Sequence, residues 1–184
     1  MLDSSKWKNG PGLCSLDPMN PRPEDVYIDE IARALAAICR YNGQLPGPKP
    51  IHYSVAQHCV LGAQAFLGWD MRQQAKEFLM HDAAEAYIGD MVRPLKRHIP
   101  SFVTIEENIQ KAVMKRFGLR YPIPVVYKTM DDIMLVTESL TFFNEELVRK
   151  WGYDPDTALN YKIEPWDAEY AESTFLKMYR YLFE

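Results

Sequence analysis

The densest cluster of side chains that could do chemistry lies in the segment LMHDAAEAYIGD, residues 79–90. It holds His81 and Asp82 side by side, with Glu85 four residues after the histidine. In a helix this spacing places Glu85 on the face shared by the other two. Apolar and small residues surround the three groups, and ionisable groups in such surroundings are costly unless they are paired or bind a cation. The segment therefore indicates either a structural ion pair or a metal site.

Two further segments supply candidate partners for this cluster. His58 lies in YSVAQHCVLGAQAF, between apolar neighbours, where the alternative to a ligand is a core histidine bonded to backbone. Asp131 and Asp132 lie in TMDDIMLVTE, at the start of a long helical pattern, where an aspartate usually caps the helix or complements its dipole. His58 and one of these aspartates would complete a set of nitrogen and oxygen ligands from three helices. Imidazole and carboxylate ligands suit a divalent ion such as Mn, Fe, Co, Ni or Zn.

The elements that must position these groups are predicted to be helices. Apolar residues recur at helical spacing, and no segment shows a convincing period of two with hairpin turns. We therefore expect an all-α protein with about six helices around one core. Ser54 and Asp70 are the expected N-caps of the second and third helices. Caps, glycines and prolines place the helices at about residues 24–41, 54–67, 71–87, 101–117, 127–150 and 165–184.

Length and charge limit what the chain can be. Its 184 residues suit one domain, residues 1–184, with an irregular arm at 1–23, a core at 24–150 and a C-terminal helical extension at 151–184. A formal net charge of −4 argues against binding to nucleic-acid polymers. No stretch approaches about 20 apolar residues, so no membrane span is expected. Three cysteines without CxxC spacing, and an N terminus without a signal segment, predict a cytoplasmic protein.

The order of His58, the His81-Asp82 pair and a later aspartate resembles that of the HD-domain metal-dependent phosphohydrolases, an all-α superfamily. HDAAEAYIGDMVRPLK is similar to the HDxxExxxGDxPxPxK signature of the bacterial 5′-deoxynucleotidases and their phage relatives, which include dATP triphosphohydrolases. ICRYNGQ followed by HYSVAQH resembles the start of the small phage-type members. The resemblance covers about residues 24–145, and it departs from the family at Met91 to Pro94, where relatives often place a proline earlier.

The resemblance implies a metal centre with one divalent transition ion. Its implied ligands are His58, His81, Asp82 and Asp131. Asp131 is preferred to Asp132 because family members tend to place this ligand seven residues before a glutamate that follows threonine, here Glu138. With a triphosphate substrate, an additional Mg or Mn ion would be expected.

The resemblance also implies residues for catalysis and for substrate binding. Glu85 matches the position that handles proton transfer or positions the attacking water, and Asp90 matches the second catalytic acid. The implied substrate-binding residues are Arg40, its aromatic neighbour Tyr41, and Lys96 at the phosphate. Arg93, Lys96, Arg97 and His98 form a basic connector, which is either a solvated loop or a rim that guides phosphate.

These residues imply a phosphohydrolase that cleaves the 5′ phosphoester of a deoxyribonucleotide. It would release phosphate from a deoxynucleoside monophosphate, or triphosphate from dATP or another dNTP. Hydrolysis of (p)ppGpp or another signalling nucleotide is the alternative reaction, although Ala86 follows Glu85 where (p)ppGpp hydrolases usually have a second acid. A catalytically silent helical interaction protein, with or without a structural metal, is the alternative of another class. The aromatic residues between Trp151 and Phe183 would suit the subunit interface of a homo-oligomer.

Overall fold

Helices make up the regular structure of residues 16–184, the part of the chain that the computed structural model describes. No β-strand forms within that range, so the all-α prediction is confirmed. The α-helices of these residues are α1 (Ile28–Ala37), α2 (Val55–Gly68), α3 (Arg72–Leu79), α4 (Glu85–Ile88), α5 (Arg93–Lys96), α6 (Pro100–Arg116), α7 (Val125–Phe142), α8 (Glu145–Lys150) and α9 (Ala168–Phe183). Most of the predicted N-terminal arm lies outside the described residues.

Two of the predicted helices are each divided in the structure. The helix predicted at 71–87 is interrupted at residues 80–84, which form turns between α3 and α4. The helix predicted at 127–150 is divided between α7 and α8 by Asn144. The Asn144 side chain accepts a hydrogen bond from the backbone N–H of Leu147 at 2.9 Å, so it begins a new helix instead of continuing the old one. These two divisions, together with α5 in the predicted connector, account for the nine α-helices of residues 16–184 where six were expected.

The predicted N-caps had different outcomes. Ser54 caps α2, because its Oγ accepts a hydrogen bond from the backbone N–H of Gln57 at 3.1 Å. Asp70 does not cap α3: its φ of +59° is left-handed, whereas an N-cap residue needs extended backbone, and Met71 takes the position. The last helix begins after Asp167, whose side chain caps α9, instead of at residue 165.

The first helix is shorter than predicted because the chain after it becomes extended. Ile38 has a ψ of 120° and follows α1 directly. The segment from Ile38 to Arg40 then runs antiparallel to the segment that leads into α2. The backbone N–H of Arg40 donates to the Tyr53 carbonyl at 2.9 Å, and that of Val55 donates to the Ile38 carbonyl at 3.0 Å. This pairing fixes Arg40 beside the start of α2.

Helix α2 lies at the centre of the packing. Ten of its 14 residues are buried, which is typical of a helix that is surrounded by others. It packs against α1, α3, α7 and α9. Helix α9 contributes Ala171, Phe175 and Leu182 to the same core. Full burial of a phenylalanine such as Phe175 is worth about 1.5–3 kcal/mol. None of the helices within residues 16–184 has the length and apolar character needed to cross a membrane.

A buried carboxylate joins α3 to the start of α7. Glu77 has no exposure and accepts a bidentate pair of hydrogen bonds from Arg120 at 2.7 and 2.8 Å. The hydroxyl of Tyr127 also donates to Glu77. Burial disfavours the charged carboxylate, but the donors outweigh burial and hold the pKa of Glu77 below its usual value. The ion pair therefore fixes the end of α3 that leads into the His81-Asp82 turn.

Helices α2 and α3 approach closely at a glycine. An ideal Cβ on Gly62 would lie 2.0 Å from the Phe78 ring, which is fully buried. Phe78 in turn stacks on the His81 ring, with the ring centroids 4.1 Å apart. Gly62 is therefore needed for the close approach that places Phe78 against the histidine.

We expect Gly62→Ala to lower the free energy of unfolding by about 1–3 kcal/mol, because the added methyl must displace a ring that has no room to move. Urea unfolding followed by circular dichroism measures the change. Gly68→Ala, at the end of the same helix, is the control, since an added Cβ there would meet nothing within 4 Å. A Gly62→Ala variant as stable as Gly68→Ala would contradict this packing.

Candidate metal centre

The His81-Asp82 pair lies on the turns between α3 and α4, so the prediction that both residues extend from a regular helix is wrong. The His81 Nδ1 atom lies 2.7 Å from the carbonyl oxygen of Phe78. Because a carbonyl can only accept, His81 carries a proton on Nδ1, and Nε2 is the nitrogen that could bind a metal ion after losing its own proton. This Nε2 is buried, has no hydrogen-bond partner within residues 16–184, and lies 3.2 Å from Asp82 Oδ2.

His58 reaches the same point from α2. Its Nδ1 lies 2.5 Å from Oε1 of Glu138, so the histidine is bonded to a carboxylate and not to backbone. An ionised carboxylate can only accept, so His58 carries a proton on Nδ1 and Nε2 is its inward-facing nitrogen. That Nε2 is 3.3 Å from Asp131 Oδ1 and 3.8 Å from Asp82 Oδ2. Two buried imidazole nitrogens without hydrogen-bond partners in the described chain thus face two carboxylates.

His58, His81 and Asp82 form a group that could hold a metal ion. One ligand atom from each residue can be chosen so that all three lie within 4.8 Å of one another. Asp131 joins them through the contact of its Oδ1 with His58, and its Oδ2 pairs with Arg93. The neighbouring Asp132 contacts Arg93 and Tyr153. The structure therefore brings the four predicted ligands together, and the geometry favours Asp131 over Asp132.

The charges at this centre suit a cation. Burial disfavours the charged form of Asp82, but His81 outweighs burial and lowers the pKa of Asp82 to about 2. Burial also opposes ionisation of Asp131, and the contact with His58 keeps the pKa of Asp131 well below its usual range. Both carboxylates are therefore ionised at neutral pH. Burial opposes protonation of His81, but Asp82 outweighs burial and raises the pKa of His81 well above its usual value, so a bound divalent ion would take the place of the Nε2 proton. Carboxylate oxygens and deprotonated imidazole nitrogens are the donors that a divalent transition ion needs.

The pKa values of Glu85 and Asp90, the predicted catalytic acids, are shifted in the opposite direction. Glu85 is the first residue of α4, is only 8% exposed, and has a buried Oε2 atom with no hydrogen-bond partner in the described chain. Burial, followed by the charges of Asp82 and Asp90, raises the pKa of Glu85 well above its usual value. Burial also raises the pKa of Asp90, and Asp82 adds to that effect. Both shifts favour the protonated form of these carboxyl groups.

Arg40 and Tyr41 lie on a short turn over the centre. Arg40 Nε donates to Glu138 Oε2 at 3.1 Å, and Arg40 Nη1 lies 3.8 Å from Asp82 Oδ2. The Tyr41 hydroxyl also donates to Glu138 Oε2, at 2.9 Å. Tyr41 and Asn42 have left-handed φ values of 55° and 53°, which turn the chain sharply after Arg40. The predicted anion-binding arginine is thus held at the metal centre, while the tyrosine hydroxyl is committed to Glu138.

A cavity of about 290 Å³ adjoins the centre on the α4 and α6 side. His81, Asp82, Glu85 and Lys96 all line it. Lys96, predicted to contact phosphate, forms an ion pair here with Glu106. The cavity therefore brings a predicted ligand pair, a carboxyl group with a raised pKa and a lysine to one opening.

A second cavity, of about 410 Å³, lies beside the first and shares Lys96 with it. Its basic lining residues are Arg93, Lys96, Arg97 and Lys128. Arg93 forms ion pairs with Asp131 and Asp132, so it is anchored to the aspartates and does not stand free on a rim. The basic connector predicted from sequence is thus one wall of a cavity that Lys128 of α7 completes.

Sequence reasoning missed the role of Glu138, which entered it only as a spacing marker for Asp131. The residue has no exposure and accepts hydrogen bonds from four side chains, including His58 and Arg40. The signal was available, because residues seven positions apart lie on the same face of a helix after two turns. The spacing of seven residues from the candidate ligand Asp131 was therefore enough to predict that Glu138 lies near the candidate metal centre.

No family model matches the chain. It is 41% identical over 115 residues to the uncharacterized protein YfdR of Escherichia coli (strain K12), a match that covers 62% of this chain and 60% of YfdR. It is 38% identical over 157 residues to the uncharacterized protein RCAP_rcc00048 of Rhodobacter capsulatus, a match that covers 78% of each protein. The chain thus spans less than two thirds of the length of YfdR and more than three quarters of that of the Rhodobacter protein.

The two adjacent aspartates provide a matched test of the metal centre. We expect Asp131→Asn to lower the affinity for Co²⁺ by more than about 100-fold, because a lost ligand should cost more than a lost outer partner. The Co²⁺ affinity of Asp132→Asn should stay close to that of the unmodified protein, because Asp132 faces Arg93 and Tyr153. Isothermal titration calorimetry measures both affinities. A larger loss of Co²⁺ affinity in Asp132→Asn than in Asp131→Asn would assign the ligand to Asp132. Unchanged affinity in both variants would contradict a metal site beside these aspartates.

Proposed function

We propose that this chain, which belongs to the same protein family as the Rhodobacter capsulatus relative, is a divalent-metal-dependent phosphohydrolase that cleaves the 5′ phosphoester of deoxyribonucleotides. The observation that carries the proposal is the meeting of the buried Nε2 atoms of His58 and His81 with the ionised Asp82 and Asp131, beside a cavity that Glu85 and Lys96 line. A hydrolytic centre needs a cation site, a proton donor or acceptor and a phosphate-binding cation in one place. The resemblance to HD-domain phosphohydrolases supplies the reaction class.

The donor set fits one transition ion such as Co, Mn, Zn, Fe or Ni, with the nitrogens of His58 and His81 and the carboxylates of Asp82 and Asp131 as ligands. The best support is that Nε2 of both histidines is buried without a hydrogen-bond partner in the described chain, which would be costly with no ion. When bound, the ion would polarise a phosphoryl oxygen and lower the pKa of a coordinated water. The four side chains determine the position of the ion and therefore of the water that it would activate.

The proton steps fall to Glu85 and Asp90. Both carboxyl groups have a raised pKa, which favours their protonated form, and a protonated carboxyl group can give its proton to the leaving 5′ oxygen. Either one, once ionised, can accept a proton from the attacking water. Glu85 lines the cavity beside His81 and Asp82, which makes it the closer candidate for the reacting atoms.

Arg40 and Lys96 would bind the phosphate. The Arg40 guanidinium is almost buried and lies 3.8 Å from Asp82, so a phosphate oxygen at the centre would come within its reach. Lys96 reaches the cavity from α5 and would exchange its pairing with Glu106 for the substrate. Tyr41 follows Arg40 on the same turn, where its ring would border the sugar or base.

One observation favours a triphosphate over a monophosphate substrate. Arg93, Lys96, Arg97 and Lys128 line the second cavity, against the single carboxylate of Asp132. Since Lys96 also lines the first cavity, phosphates beyond the cleaved bond could extend along this basic wall. We therefore favour release of triphosphate from dATP or another dNTP over release of phosphate from a dNMP, with a further Mg or Mn ion on the triphosphate. We place the enzyme in the cytoplasm, as a homo-oligomer.

Product analysis tests this proposal directly. The protein, loaded with Co²⁺, Mn²⁺ or Zn²⁺, is incubated with a panel of dNMPs and dNTPs, and the products are separated by ion-exchange chromatography. We expect a deoxynucleoside together with inorganic triphosphate. A deoxynucleoside with orthophosphate, formed from dNMPs only, would assign the alternative reaction, and turnover of (p)ppGpp alone would assign a signalling role. No turnover of any nucleotide by metal-loaded protein would contradict the proposed function.

Glu85→Gln separates catalysis from metal binding. We expect kcat to fall by about 10²–10⁴-fold, because the amide cannot transfer a proton, while the Co²⁺ affinity remains close to that of the unmodified protein. Steady-state kinetics and calorimetry provide the two readouts. Glu107→Gln, a change in an exposed residue that lines the same cavity, is the matched control and should keep its activity. Equal activity in the two variants would remove Glu85 from the mechanism.

A further inference from the structure

Glu138 of α7 lies where the metal centre meets the turn that carries Arg40. Its carboxylate has no exposure and accepts four side-chain hydrogen bonds. Oε1 accepts from His58 Nδ1 at 2.5 Å and from the Tyr53 hydroxyl at 2.8 Å. Oε2 accepts from Arg40 Nε at 3.1 Å and from the Tyr41 hydroxyl at 2.9 Å. One oxygen therefore holds a metal-ligand histidine, and the other holds the anion-binding arginine.

The four donors explain how this carboxylate can be buried. Burial alone would raise the pKa of Glu138, but Arg40 and His58 outweigh burial and keep the pKa below its usual value. Burial raises the pKa of Tyr53 well above its usual value, with Glu138 adding to that effect, so this hydroxyl remains a donor. A buried carboxylate with all of its lone-pair positions in use holds its partners in fixed orientations.

Each oxygen sets a different property of the site. At Oε1 the carboxylate keeps the His58 proton on Nδ1 and turns Nε2 toward Asp82 and Asp131, as outer carboxylates do for metal-binding histidines. At Oε2 it engages Nε of Arg40, which leaves Nη1 facing Asp82. Without the Glu138 carboxylate, neither the His58 ring nor the Arg40 guanidinium would be held in this orientation.

We propose that Glu138 is a positioning residue that couples the two halves of the site, by holding the His58 ligand and the Arg40 anion-binding group on a single carboxylate. This inference rests on the proposed function for the identity of the anion, a phosphate. It predicts that one change at a residue that touches neither metal nor substrate weakens two separate binding events. If Glu138 were only structural, its substitution would lower stability without weakening both binding events.

Glu138→Gln is the variant of choice because it preserves size while removing the charge. Whichever way the amide turns, its NH₂ group faces N–H and O–H donors on one side, and on the other side its uncharged oxygen accepts more weakly than the carboxylate did. We expect the affinity for Co²⁺ alone to fall by about 10–100-fold. At saturating Co²⁺, the affinity for inorganic phosphate should fall by roughly tenfold, the equivalent of one modest hydrogen bond.

Tyr53→Phe is the matched control. It removes one of the four hydrogen bonds to Glu138, from a residue that is just as buried, without touching either His58 or Arg40. We expect both affinities to stay close to those of the unmodified protein, although the thermal midpoint of unfolding falls. An equal loss of binding in Tyr53→Phe and Glu138→Gln would show that Glu138 acts only through stability, and would overturn the proposal.

The decisive result is the pair of affinities measured by calorimetry on folded protein. If Glu138→Gln keeps either affinity at its unmodified value, the coupling is wrong. If Glu138→Gln does not fold, Glu138→Asp is measured instead, because its shorter side chain cannot reach both His58 and Arg40; for this variant, two unchanged affinities would overturn the proposal. Both readouts are independent of turnover. If the unmodified protein is inactive but both affinities fall in Glu138→Gln, the phosphohydrolase is rejected and the coupling is retained. If the unmodified protein is active but both affinities are unchanged in Glu138→Gln, the coupling is rejected and the phosphohydrolase is retained.

Discussion

The site depends on a charge that the fold has removed from water, the carboxylate of Glu138. Such a group is costly unless every lone pair is used, and the structure supplies donors from three parts of the chain. Helix α2 provides His58, the segment before α2 provides Tyr53, and the turn after α1 provides Arg40. The pairing of residues 38–40 with 53–55 brings the last two together. The elements around α7 are thus arranged to satisfy this one group.

A second constraint acts from the opposite side, through the close approach of α2 and α3. Gly62 lets the Phe78 ring lie against α2; this ring stacks on His81, and the Phe78 backbone carbonyl accepts a hydrogen bond from His81 Nδ1. Two unrelated acceptors, a carboxylate for His58 and a carbonyl for His81, therefore produce the same result. Each histidine directs its Nε2 toward Asp82. A pair of matching tautomers is what one shared cation requires.

Much of this could be predicted from the sequence, and the failures have physical causes. Periodicity predicted the helical class, and the cap at Ser54 was predictable because it depends on neighbours in the chain. The interruption at residues 80–84 was not predictable, because alanine-rich sequence favours helix and only tertiary contacts oppose it. The role of Glu138 was missed because its four partners come from residues 40 to 58, far away in the chain. Residue types indicated the ligands, whereas the groups that orient them required the fold.

The central claim is that His58, His81, Asp82 and Asp131 bind a single divalent ion. Anomalous diffraction at the cobalt edge, from crystals of the protein loaded with Co²⁺, tests it most directly. The account predicts one strong peak at the meeting point of these side chains, about 2.0–2.2 Å from Nε2 of each histidine, a typical metal–imidazole distance. A peak bound through Nδ1 of either histidine, or a peak elsewhere with these four side chains still paired to one another, would contradict it.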